Sequence, residues 1–300
     1  MTLNIHELVD RFTAIAGRVA AGRDLFFSET IDSLPLTELI SQVSLEVPEI
    51  KGTGVYTTNV TNPRPDLDPA FLVYQWKGAG YPVILFHHGN NENPFDFGRF
   101  SKHSFRMIFE QNSGNIDASI IAVRAPYHGI PLKDYTSKII HLSHFVEMLA
   151  ASVVMVEKLV LQLKGKTREK ILLSGISLGG WVTNLHRTCF NSANLYVPIF
   201  AGAALAEVFL ASYYQKLTGE NVRDEPDLLR KTLNFEDDYR SRDSENVFPL
   251  LARYDQFIKY ERQKQCYSDD TIINVIEKGH VTGLLASDKL CNHICSNLQV

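Results

Sequence analysis

From Tyr81 onward the chain alternates short, continuous apolar runs with longer stretches of helical periodicity. The runs are 82–86 (PVILF), 118–123 (ASIIAV), 170–173 (KILL), 195–200 (LYVPIF), 247–252 (VFPLLA) and 272–276 (IINVI). A strand buried on both faces needs such a run, and the helical stretches between the runs supply the crossovers of a parallel sheet. The helix expected over 141–163 is the plainest, since that stretch is heavily apolar and holds no proline or glycine. Ahead of Tyr81, Val55–Val60 and Phe71–Trp76 alternate and flank the turn-rich NPRPD of 62–66, which predicts an antiparallel pair. Residues 1–50 read as an N-terminal helical extension, broken near Ser33 and Pro35 before a second short helix over 36–44. Between Glu207 and about Asn246 the chain is polar and charged, with helical periodicity and no apolar strand. A segment that short makes a poor core of its own, so a lid-like helical insertion at about 207–246 is expected within one domain spanning 51–300. The fold class is therefore α/β: a mostly parallel central sheet with helices on both faces.

The stretch KILLSGISLGGW, 170–181, joins one of these strands to a helix through Gly175, Ser177 and Gly179. A serine on a sharp strand-to-helix turn stands above the sheet edge, where the Leu178 N–H and the helix N-terminus can meet a developing oxyanion. Serines after strands also commonly cap helices, so partners must decide between the two readings. A serine hydroxyl needs a base, and the base needs a carboxylate to orient it. On a parallel sheet both belong in loops after later strands. Asp255 follows the 247–252 run and His280 follows the 272–276 run, in the chain order such a site requires. Asp255 could instead open the helix expected through Phe257 and Tyr260, Glu207 is a rival acid after the strand ending at Phe200, and His280 could be an ordinary loop histidine. His128, on a turn after a strand, could line a pocket or stand exposed.

Composition narrows the partners. The 300 residues are 45% hydrophobic and 21% charged, with a formal net charge of -4 and no long run of like charge, which gives no footprint for nucleic acid. No stretch of about 18 apolar residues runs free of charge, so no transmembrane segment is expected. Glu7, Asp10 and Arg11 lie where a secretion signal would need an apolar core. The four cysteines suit a reducing cytoplasm better than a disulfide framework. Cys291, His293 and Cys295 lie close together but lack a second ligand pair, so they read as packing positions and no metal is expected. Nothing in the pattern specifies an oligomeric state.

Residues from about Tyr81 to Leu285 resemble the α/β-hydrolase superfamily. His87-His88-Gly89-Asn90 resembles its His-Gly oxyanion loop, Gly175 to Gly179 its nucleophile elbow, and Tyr254-Asp255 and Gly279-His280 its acid and base loops. The loop reads HHGNN and lacks the further glycines of the HGGG form. The resemblance implies a serine hydrolase acting on a carboxylic ester or related small-molecule acyl compound without a cofactor. Ser177 would be nucleophile, His280 base and Asp255 acid, with oxyanion donors at Leu178 and Asn90, or Gly89 in place of Asn90. Acyl transfer, amide hydrolysis, or binding without turnover are the alternatives. His88 would help bind the substrate by shaping the oxyanion loop. Phe209 and Tyr213 have the spacing to line an acyl pocket, unless their face packs on the sheet instead.

Overall fold

The computed structural model describes residues 4–242 and 244–299. In chain order the strands are β1 (Ser44–Glu46), β2 (Gly54–Thr57), β3 (Asn59–Asn62), β4 (Ala70–Gln75), β5 (Val83–His87), β6 (Ser119–Arg124), β7 (Ile171–Ile176), β8 (Leu195–Ile199), β9 (Leu250–Ala252) and β10 (Asn274–Ile276). Eight of them form one sheet in the order β10-β9-β8-β7-β5-β6-β4-β2. Every pairing from β6 through β10 is parallel, while β4 runs antiparallel to both β2 and β6. The apolar runs of the sequence are these parallel strands, shifted by up to three residues at their ends.

Two departures have local causes. The alternating stretch 55–60 is two strands rather than one. The Thr58 N–H and hydroxyl both donate to the Pro69 carbonyl, which carries the β2–β4 pairing to its end, and beyond Thr58 the chain changes partner; β2 pairs with β4 and β3 with β1. The 247–252 run yields only the three residues of β9. Along β8 and just past its end, the Tyr196 and Phe200 N–H groups donate to the carbonyls of Asn246, which precedes this run, and Leu250 within it, and Pro198 between them has no N–H to give. Pairing there falls to a bridge at Tyr196 and Val247 and a single ladder pair, Ile199 with Leu250.

The period-2 geometry of β5 sends Val83 and Leu85 to one face and Ile84 and Phe86 to the other. The first face packs under α4 (Leu142–Lys164) and α5 (Leu178–Cys189), and the second packs on Phe105, Phe109, Leu290 and Ile294. Both faces are thus covered, as a parallel sheet requires. The N-terminal stretch packs onto this body. Helix α2 (Leu36–Gln42) lies on α4, and α1 (Ile5–Ala21) lies on the short helices 213–217 and 280–284. Between α1 and α2, Phe26 and Phe27 are buried in a ring cluster with Phe145 and Phe209. The 207–246 insertion is helical in pieces, as its periodicity predicts.

Candidate active site

The strand β7 ends at Ile176, and Ser177 takes φ 54° and ψ -110°, a left-handed conformation costly for any residue but glycine. Its backbone is held there by an N–H bond to the Ile199 carbonyl at 2.9 Å and by the Trp181 N–H on its own carbonyl at 3.1 Å. The turn closes only because neither flank has a side chain. A Cβ at Gly175 would overlap the Gly179 carbonyl, and one at Gly179 would overlap the carbonyl of His87 in the adjacent strand. Ser177 occupies the N-cap position of α5 but its hydroxyl caps nothing, which sets it apart from serines that merely start helices. The Leu178 N–H opens α5, where no carbonyl four residues back serves it.

After β9 and β10 the chain brings Asp255 and His280 together. Asp255 Oδ2 accepts from His280 Nδ1 at 2.7 Å, while Oδ1 accepts the N–H groups of Phe257 at 2.8 Å and Ile258 at 2.7 Å. Asp255 opens no helix, since the next one starts at Tyr260 with Lys259 at its N-cap; one of its oxygens ties down its own turn and the other takes the imidazole. Glu207 is elsewhere, bonded to Arg230 at 2.8 Å. With Nδ1–H committed to Asp255, the neutral ring carries its lone pair on Nε2. Burial pulls the His280 pKa down, but the charge and hydrogen bond of Asp255, with the charges of Asp10 and Glu92 behind them, outweigh it and leave the pKa above the usual histidine value. Among the described residues no hydrogen bond joins the Ser177 hydroxyl to His280; the two meet as walls of one cavity. Such bonds are often long before substrate binds.

The loop after β5 forms a third wall. Gly89 gives its N–H to Glu92 Oε2 at 3.0 Å, so it is not free to serve an oxyanion, whereas no hydrogen bond among the described residues uses the Asn90 N–H. The Asn90 side chain is held by two phenols, accepting from Tyr135 at 2.5 Å and donating to Tyr214 at 3.1 Å. Asn91 takes φ 62°, a conformation asparagine tolerates, and so turns the loop without a second glycine. Glu92, which the sequence reading passed over, also accepts from the Ser104 N–H and hydroxyl. Burial raises its pKa against those donors.

His88 does not line the cavity. It is fully buried behind the loop, donating from Nδ1 to the Gly89 carbonyl at 2.6 Å and accepting the Ala125 N–H on Nε2 at 3.0 Å. Burial, and then the neighbouring His128 and His87, hold its pKa well below the usual value, so it is a neutral brace. His128 is likewise buried, against His88 and Tyr135.

The cavity has a volume of about 260 Å³ and is walled mostly by apolar side chains, Phe209, Phe26 and Phe145 among them. Tyr213 is not one of them; its ring lies under the Arg11 guanidinium, 4.8 Å from the centroid. The helical spacing that joined Tyr213 to Phe209 breaks at Ser212, whose φ -117° and ψ 179° are extended, between α6 (Ala206–Ala211) and the 3₁₀ turn Tyr213–Leu217. Tyr214 faces the cavity in its stead, and so do Thr13, Ala14 and Gly17 of α1. Near the C-terminus the Cys291 and Cys295 sulfurs are 3.9 Å apart, and His293 bonds the Phe248 carbonyl at 3.0 Å. Among the described residues no three potential metal ligands converge, and no helix is long and apolar enough to cross a membrane.

Neither a family model nor a curated protein matches the sequence. Among solved structures the chain is similar to acetyl xylan esterase 1 from Thermoanaerobacterium sp., with a TM-score of 0.56 at 12% identity over 95% of this chain and 98% of that one. It is also similar to Est1E from Butyrivibrio proteoclasticus, with a TM-score of 0.52 at 12% identity over 85% and 99% of the two chains. A third is the α/β hydrolase GrgF from Penicillium sp. sh18, with a TM-score of 0.52 at 11% identity over 86% and 98%. Likeness at such identity concerns architecture. The parallel strands, the antiparallel β4, the elbow after β7 and these neighbours together establish that the chain has the α/β-hydrolase fold.

Proposed function

We propose that the protein is a serine hydrolase that cleaves a carboxylic ester of a small-molecule acyl compound through a covalent acyl-enzyme. The observation that carries this reading is the 2.7 Å bond from His280 to Asp255 at the wall of a cavity that also holds Ser177 on its strained turn. Ser177 attacks the acyl carbonyl, and His280 takes the hydroxyl proton on Nε2 and returns it to the leaving alkoxide. Asp255 holds the tautomer and stabilises the imidazolium. The Leu178 and Asn90 N–H groups receive the oxyanion. Water, activated by the same histidine, then releases the acid. The chemistry requires no cofactor. A cavity of about 260 Å³ is at the small end for ligand sites, which favours short acyl groups.

The test is a panel of p-nitrophenyl esters of increasing acyl length, run beside labelling with a fluorophosphonate probe. Wild-type protein should hydrolyse the short esters and take the label. Ser177→Ala should lose the label and roughly 10⁴ to 10⁶ in kcat while keeping its melting temperature. Activity retained in a folded Ser177→Ala protein would exclude this mechanism.

A further inference from the structure

Helix α1 starts well: Asn4 caps it by accepting the His6 N–H at 3.0 Å, and Glu7 stands in its first turn. Asp10, Ala14 and Gly17 fall on one face at i, i+4 and i+7, and that face turns inward. Two of the three are the small residues such a contact favours. The first is an acid with no exposed surface, which is unfavourable unless its oxygens are satisfied.

They are satisfied by two separate loops. Oδ2 accepts the N–H of Gln256 at 3.0 Å and the N–H of His280 at 2.8 Å, and Oδ1 accepts the N–H of Val281 at 2.9 Å. Gln256 follows Asp255 directly, so one carboxylate grips the loop of the acid and the loop of the base. Gly279 permits the approach, since a Cβ there would lie 2.8 Å from Asp10 Oδ2 and 2.7 Å from the His6 carbonyl. Arg11 adds a second tie, bonding the Gln256 side chain at 3.1 Å. A helix that needed only to anchor itself could use apolar contacts. Three charge-assisted bonds to backbone amides beside the reacting pair fix geometry instead.

We propose that Asp10 is a positioning residue for the reaction, its carboxylate holding the Asp255 and His280 loops at the separation their hydrogen bond requires. This rests on the assignment of Asp255 and His280 above. Three carboxyl groups surround the imidazole: Asp255 from the loop after β9, Glu92 from the loop after β5, and Asp10 from α1; the groups facing Asp10 in turn are Asp255 and His280. Burial and then the charge of Asp255 push the Asp10 pKa up, while the three N–H donors pull it down. Its negative charge is one of those that favour the protonated imidazole. Removing that charge therefore lowers the His280 pKa, and the neutral base persists to lower pH.

The experiment uses the full chain with Asp10→Asn and Asp10→Glu. The His280 pKa is read by NMR titration of its imidazole signals, and kcat and KM are measured against pH on the best ester. In Asp10→Asn the His280 pKa should fall and the acid limb of kcat/KM should move to lower pH. Its kcat should drop roughly 10- to 100-fold from misplacement of the base, with KM within about twofold of wild type. Asp10→Glu, which keeps the charge but displaces the loops by a methylene, should retain the high His280 pKa and lose kcat. It also serves if the asparagine variant fails to fold. A wild-type His280 pKa and pH profile in Asp10→Asn, or wild-type kcat in Asp10→Glu, would reduce Asp10 to an anchor for α1 and overturn the proposal. The titration does not depend on turnover. A lowered His280 pKa in a protein that hydrolyses no ester would leave the coupling of Asp10 to His280 standing and the ester reading refuted.

Discussion

Asp255 divides its two oxygens between its own turn and His280, and that division makes its replacement sharply diagnostic. Asp255→Asn can keep Oδ1 on the Phe257 and Ile258 amides, so the fold should survive, but an NH₂ facing Nδ1 favours the wrong imidazole tautomer. The expected loss is about 10⁴ in kcat. Glu207→Gln, at a side chain bonded to Arg230, should cost less than about tenfold. Reversed effects in steady-state kinetics would move the acid to the earlier loop. His280 must be neutral to act as base, and its pKa is raised, so kcat/KM should rise with pH through a value above 6.5 and not below it. A midpoint below 6.5 would show that burial, not the carboxylates, dominates. The placement of Ser177, Asp255 and His280 at one edge of the sheet was legible in the sequence because each follows an apolar run closely. Asp10 and Glu92 were not, since their meaning depends on which loops the fold carries to them. In the sequence Asp10 counts only as a charge against a secretion signal; the stripe it shares with Ala14 and Gly17 gains meaning once α1 is seen to turn that face inward.

At the scale of elements, periodicity predicted the helices of the insertion but not where they break. Phe209 and Tyr213 are four apart and would share a face on one continuous helix; Ser212 interrupts it, and only Phe209 reaches the cavity. Phe209 also belongs to the ring cluster of Phe26, Phe27 and Phe145, with centroids 4.8 to 5.6 Å away. Lining and packing are therefore one role. Phe209→Ala should cost about 3–5 kcal/mol of stability and also extend the ester preference toward longer acyl chains into the space it leaves. Tyr213→Ala should leave the acyl-length profile unchanged, because its ring contacts Arg11 outside the cavity. Melting curves and the ester panel together check both, and a shifted profile in Tyr213→Ala would return that residue to the site. The sheet shows the same limit. Its parallel strands were legible as apolar runs, but the shortening of β9 was not, because it depends on which neighbour the missing N–H of Pro198 faces.

Over the whole molecule the charges are unevenly placed in a way that no count predicts. A formal net charge of -4 is slight for 300 residues, yet Asp255, Asp10 and Glu92 all bear on one imidazole, and among the described residues lining the cavity none is lysine or arginine. The surroundings of Ser177 are thus apolar with a negative bias. An acyl group ending in a carboxylate would have to leave water without gaining a cation and would approach carboxyl groups already buried there. Like charges so juxtaposed cost several kcal/mol, and even about 2 kcal/mol is roughly a 30-fold loss. A p-nitrophenyl hemisuccinate should therefore show kcat/KM lower than the neutral butyrate by roughly 30-fold or more. The same substrates should narrow that gap in Glu92→Gln, which removes the one acidic side chain among the described residues lining the cavity, provided its bonds to Gly89 and Ser104 hold the loop in place. Equal turnover of the two esters by the wild-type protein would mean that a cation reaches the bound acyl group, and the apolar wall of Phe26, Phe145 and Phe209 would then not be where the acyl chain lies.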